Sequence, residues 1–154
     1  MMLSQFLDFE AIRIDLAVNN KRQLVHQLAQ LAGARLAVDP ALIADSIGER
    51  ERLGSTGFGG GVAIPHGKLA GLDRVYALVV RLSTPIDYKA SDGGKVDLVF
   101  LLLSPPNTGA EHLKALAAIS RLVRHAATVE KLRGARSRDA LAAVLLGVDE
   151  RDAA

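Results

Sequence analysis

The chain has no cysteine, and only six aromatic residues, two Tyr and four Phe, among 154. Without cysteine there is no disulfide, thiol nucleophile, iron–sulfur cluster or cysteine zinc site, and a reducing cytoplasm suits the composition. So few aromatics offer no base-stacking platform, and nucleic acid is not expected as a partner. Charge of one sign is also lacking, since 19 basic against 17 acidic side chains leave a formal +2. No long apolar run exists: Val75–Val80 and Leu98–Leu103 are six residues each, against about 20 for a bilayer crossing. The start, MMLSQFLDFE, carries acids where a secretory signal has a basic start and a long apolar stretch. These absences predict a soluble cytoplasmic protein, not embedded in a membrane.

What is present is an average globular composition, 49% apolar and 23% charged, long enough to bury one core. No repeat or linker divides the chain, so residues 1–154 are expected to form one domain. Leu24, Val25, Leu28, Leu31, Ala32 and Leu36 recur at helical spacing after Asn19 or Asn20 as N-cap. Asp39-Pro40 opens a second helix, carrying Ile43 and Ile47 to about Arg52. Residues 54–61 hold five glycines, so this stretch is expected to end the helix and form no regular structure.

A short strand is predicted over Gly61–Pro65, and longer ones over Val75–Leu82 and Val96–Leu103, whose near-continuous apolar character predicts burial on both faces. Ala11–Ala17, and Ile86 with Tyr88, read as weaker edge segments. Thr108 and Glu111 fit a capping box ahead of a helix bearing Leu113, Leu116, Ile119 and Val123. Two helical segments follow, about Ala127–Arg133 and Arg138–Leu146. Helices on both sides of strands predict an α/β layer architecture.

Common site motifs fail when tested. Five residues separate Gly61 from Gly67-Lys68, one too many for a P-loop, and Leu69 replaces its Ser or Thr. Val62 stands where the dinucleotide pattern begun by Gly57 and Gly59 needs glycine. No Ser lies in G-x-S-x-G, and no two histidines have the spacing of a helical zinc site. No metal has a ligand set, and no cofactor is expected.

His66 remains, directly after Pro65 and beside the glycine-rich loop. A fixed, accessible imidazole suits a general base, a metal ligand or a phosphoryl acceptor, if its other nitrogen is held in one tautomer. An ordinary loop histidine is the competing reading. His112, in a helix's first turn along the edge of the apolar face, is either an anion contact or a satisfied half-buried side chain. Arg50 continues the line of Ile43 and Ile47. It suits either a forked contact to an anion or dipole compensation at a helix end. The loop is a mobile connector, or an anion cradle of amides with the Ser55 and Thr56 hydroxyls. His26, beside Arg22 and Gln30, reads as solvated surface, and His125, near a helix end next to Arg124, as complementing the helix dipole.

In combination, Arg50-Glu51-Arg52-Leu53-Gly54-Ser55-Thr56-Gly57, then Gly61-Val-Ala-Ile-Pro-His66-Gly67-Lys68, then Glu111-His112-Leu113 resemble enzyme IIA of the phosphoenolpyruvate-dependent phosphotransferase system. The resemblance is to the fructose/mannitol superfamily, closest to its nitrogen-regulatory branch, over about residues 3–148. It implies a mixed, largely parallel five-stranded sheet flanked by helices on both faces. It also implies phosphorylation of His66 on Nε2 by an HPr-like phosphocarrier protein, with His112 and Arg50 beside the phosphoryl group and Ser55, Thr56 and Gly57 in the site's loop. Phe58-Gly59-Gly60-Gly61 departs from the family by its extra glycine. A chain ending at Ala154 with no attached permease or carrier fits a regulator, whose target the sequence does not name. The alternatives are the IIA unit of a fructose- or mannitol-type transporter passing the group to a IIB domain, and a non-covalent anion-binding module.

Overall fold

The computed structural model describes residues 1–153. After two short 3-10 turns come β1 (Arg13–Leu16), α1 (Lys21–Leu36), α2 (Pro40–Arg52), β2 (Gly57–Gly59), β3 (Val62–Ala63), β4 (His66–Lys68), β5 (Tyr76–Ile86), β6 (Val96–Ser104), α3 (Gly109–Arg124), α4 (Ala126–Gly134) and α5 (Arg138–Ala153). The strands form one open sheet in the order β1-β5-β6-β3-β2, with β4 also on β6. β3 and β4 run in line along the same side of β6, pairing Val62 with Leu98 and His66 with Leu102. They are one strand position interrupted at Pro65, which has no N–H for the ladder. Six strands therefore occupy the five expected places. Three of the five pairings are parallel, while the longest, β5 with β6, is antiparallel.

Strand period two explains the continuous apolar runs. In β5 and β6, Ala77, Val79, Leu98, Phe100 and Leu102 join one core; Leu78, Val80, Val99, Leu101 and Leu103 join the other. The first core is closed by α3, α4 and α5 through Ile119, Leu132 and Leu145. The second is closed by α1 and α2 through Leu24, Leu28, Ile43 and Ile47. Helices thus cover both faces.

The helix starts are partly as expected. Asn20 accepts from the Gln23 amide at 2.8 Å and Asp39 from Ala41 at 3.0 Å with Pro40 at N1. The capping box at Thr108 does not form. Its hydroxyl instead donates to the Pro105 carbonyl at 3.1 Å, closing the turn after Pro105-Pro106.

Two further expectations are corrected. The glycine-rich stretch contains regular structure, because Gly57–Gly59 pairs with Val62–Ala63 as a hairpin. Its bend uses Gly60 and Gly61 at positive φ, 64° and 83°, which glycine adopts without strain. Ile86 ends β5 rather than forming a separate edge segment, and Tyr88 is not at an edge at all: it is fully buried.

Candidate functional site

Chain connectivity brings the two histidines together. Parallel pairing of β4 with β6 puts His66 opposite Leu102 and Lys68 opposite Ser104, near the carboxyl end of β6. From Ser104 the chain turns through Pro105-Pro106 into α3, whose first turn carries His112 back over the same sheet end. The rings lie 5.5 Å apart between centroids, tilted by 50°. They share an open cleft of about 350 Å³ with Ser46, Glu49, Arg50, Leu53, Gly67 and Lys68. That size lies within the usual range for small-ligand sites.

From the opposite side, α2 supplies Arg50, one turn past Ile47. The helix packs so closely on β4 that a side chain at Gly67 would collide with the Ser46 hydroxyl. That hydroxyl donates to the Lys68 carbonyl at 2.5 Å. Arg50 Nη1 donates to the Gly54 carbonyl at 3.0 Å, which draws the guanidinium over the start of the loop.

His66 is half-buried, and its Nδ1 lies 2.8 Å from the Ile64 carbonyl. A carbonyl oxygen only accepts, so Nδ1 carries the proton and Nε2 keeps its lone pair. Burial lowers the basicity of the ring; the cationic Arg50 and Lys68 add to that, against the opposing Ile64 hydrogen bond and Glu51. His112 is nearly buried, at 8% exposure. Burial, then Lys68 and His66, push it down to about 4. Both imidazoles are therefore uncharged at neutral pH, and one presents a free lone pair. The site can perform nucleophilic attack by Nε2 with cations beside the incoming group.

The loop Ser55–Gly57 does not line this cleft. Its polar groups are spent on structure. The Thr56 hydroxyl is turned inward, donating to Glu51 and lying 2.9 Å from the Tyr88 hydroxyl. Thr56 N donates to Glu51 at 3.2 Å, and Gly57 N to the Ser55 hydroxyl at 3.1 Å. An open cradle of these amides and hydroxyls is thus not the arrangement found. Glu51 is the centre instead, also accepting from Lys21 at 2.8 Å and from Tyr88 at 2.9 Å. Burial works to raise its pKa, but donation from Lys21, Thr56 and Tyr88 prevails and holds the carboxyl below its usual range.

His66, His112 and Arg50 all line the one cleft. Ser46 and Ser104 stand outside every motif in the sequence, whereas Lys68 and Glu51 lie inside the segments that carry the family resemblance. His26 and His125 are exposed and away from the cleft.

The fold is that of the phosphotransferase-system IIA proteins. More particularly, the chain belongs to the family described as "Phosphoenolpyruvate-dependent sugar phosphotransferase system, EIIA 2", whose model matches residues 5–147. It is 44% identical to a nitrogen regulatory protein of Bradyrhizobium diazoefficiens, covering 94% of this chain and 95% of that one. A fructose-specific EIIA component of Haloferax volcanii is 32% identical, with 96% and 97% covered. Among solved structures, the nitrogen regulatory protein IIA-Ntr of Neisseria meningitidis superposes with a TM-score of 0.88 at 32% identity, over 93% of this chain and 98% of that one.

Proposed function

We propose that the protein is a phosphohistidine carrier of the nitrogen-regulatory phosphotransferase branch, acting as one cytoplasmic domain. It accepts its phosphoryl group on His66 from an HPr-like phosphocarrier protein. The observation that carries this reading is the Nδ1–H bond to Ile64, which leaves Nε2 with a free in-plane lone pair on a ring that lines the cleft. In the transfer, the Nε2 lone pair forms a new N–P bond while the N–P bond to the donor's imidazole breaks. The departing electron pair stays on the donor nitrogen. His66 keeps its Nδ1 proton on Ile64, so no base is needed. Positioning and charge neutralisation carry most of such a reaction; Arg50 and Lys68 supply the charge and His112 a contact to the phosphoryl oxygens. Leu53, 83% exposed, and Leu113, 64% exposed, leave an apolar rim for the carrier.

Similarity to nitrogen regulatory proteins favours a regulatory role, in which up to about two new negative charges at His66 alter a partner-binding face. The fructose-specific relative keeps a second reading in view: onward transfer to a sugar-specific IIB domain. Incubation with phosphoenolpyruvate, the first enzyme of the system and its carrier should give an acid-labile, alkali-stable phosphoprotein. His66→Ala should abolish labelling, and His112→Ala should slow it with the fold retained. Equal labelling of His66→Ala would overturn the assignment, and rapid transfer to a IIB acceptor would favour the transport reading.

A further inference from the structure

We propose that Ser104 is a positioning residue: it holds His112 in the tautomer whose Nε2–H points a hydrogen-bond donor at the anionic group on His66. The Ser104 hydroxyl lies 2.6 Å from His112 Nδ1, and the serine is completely buried. His112 Nδ1 is the hydroxyl's one partner among the described residues. A buried O–H without an acceptor costs more than an oxygen lone pair left empty. The serine therefore spends its proton on Nδ1, and the neutral ring must carry its own proton on Nε2. The opposite arrangement would strand the hydroxyl proton and turn a lone pair of His112 toward phosphoryl oxygens.

The sheet fixes this geometry. Ser104 is the last residue of β6, opposite Lys68 in the β4 ladder, and its carbonyl accepts from Leu69 N at 2.8 Å. The serine is thus rigid on the strand, and the Pro105-Pro106 turn delivers His112 onto it. The two histidines then hold complementary tautomers. His66, bound through Nδ1–H to a carbonyl, offers a lone pair; His112, bound through Nδ1 to a hydroxyl, offers a proton. One nitrogen attacks phosphorus while the other hydrogen-bonds its oxygens, and no proton moves between them.

The purpose of the donor rests on the phosphocarrier reading, but the tautomer does not, so the test separates them. Long-range proton–nitrogen correlation spectra of the unphosphorylated protein at neutral pH should show His112 protonated on Nε2 and His66 on Nδ1. In Ser104→Ala the His112 Nδ1 resonance should move as its hydroxyl donor is lost, with the His66 resonances in place. Phosphoryl transfer from the carrier should slow about tenfold, the worth of one hydrogen bond. Protonation of His112 on Nδ1 in the parent overturns the proposal without any variant. So does a Ser104→Ala spectrum unchanged at His112, or a transfer rate unchanged by the substitution. A parent with the expected nitrogen pattern that accepts no phosphoryl group upholds the hold of Ser104 on the ring and sinks the carrier reading alone.

Discussion

His66 and His112 are both kept uncharged, and that condition has a cost in acid. The ordinary imidazole value is 6.5, while burial and neighbouring cations push His112 down to about 4. The unfolded chain therefore takes up a proton first as pH falls. Stability is undiminished above 6.5 and declines toward about 4, with His66 adding in the same direction. The uncharged His112 ring accounts for at most about 1.4 kcal/mol of that decline per pH unit. Glu51 and Asp8 have lowered pKa values instead, so their stabilisation is lost as pH falls below their ordinary values of 4.5 and 3.8, and measurements at about pH 5 and above read the histidines. His112→Gln should flatten the decline, read from urea midpoints at about pH 7.5 and about pH 5. A slope equal to the parent's would mean that His112 is protonated in the folded protein. Residue chemistry was legible in His66 and Arg50 because their motifs are local. Ser104 gave no signal, since nothing in the seven intervening residues says which side chain will meet His112.

At the scale of elements, the site depends on how the end of α2 is tied to its surroundings. Glu51 gathers Lys21 from the start of α1, Thr56 from the loop and Tyr88 from beyond β5. Lys21 also lies 4.2 Å from the centre of the Tyr88 ring. Glu51→Ala would take the shared acceptor from the Lys21 ammonium, the Thr56 amide and the Thr56 and Tyr88 hydroxyls, leaving the two hydroxyls only each other. A loss of about 2–4 kcal/mol is expected in chemical denaturation, with slower phosphoryl transfer because Arg50 follows the same helix end. A variant with parent stability would show that the network is solvated surface. The helices α1 and α2 and the strands β5 and β6 were readable because their apolar periods are long. The β2 arm of the hairpin was not, because its glycines carry no side-chain alternation to reveal a strand, whereas β3 lies inside the short strand expected over Gly61–Pro65. Thr108 looked like a cap in sequence, but the proline turn before it offered its hydroxyl a nearer acceptor.

Across the whole molecule, the two ends of the chain are joined. Asp149 of α5 is buried at 4% exposure and accepts from Leu3 N at 2.6 Å and Ser4 N at 2.8 Å. Its carboxylate satisfies the first amides of the N-terminal turn, which seats Leu3 and Phe6 against the core shared with α3 and α5. Asp149→Ala should release that turn, costing about 1–3 kcal/mol and speeding hydrogen exchange at Leu3 and Ser4. Unchanged exchange at both amides would contradict the tether. Farther along, Arg133 donates to Asp97 at 3.0 Å and to the Gly60 carbonyl at 2.6 Å, anchoring the glycine-rich hairpin to α4.

By itself the sequence determined the α/β class, the main helices and strands, and the order in which arginine, histidine and second histidine occur. Those follow from local periodicity and short spacing, which a linear chain displays. Only the tertiary structure decided that Thr56 faces inward, that Tyr88 is core, and that a serine closing β6 lies against His112. Each is a contact between segments far apart in the chain or turned by proline. Which partner a buried hydroxyl finds depends on where packing places it.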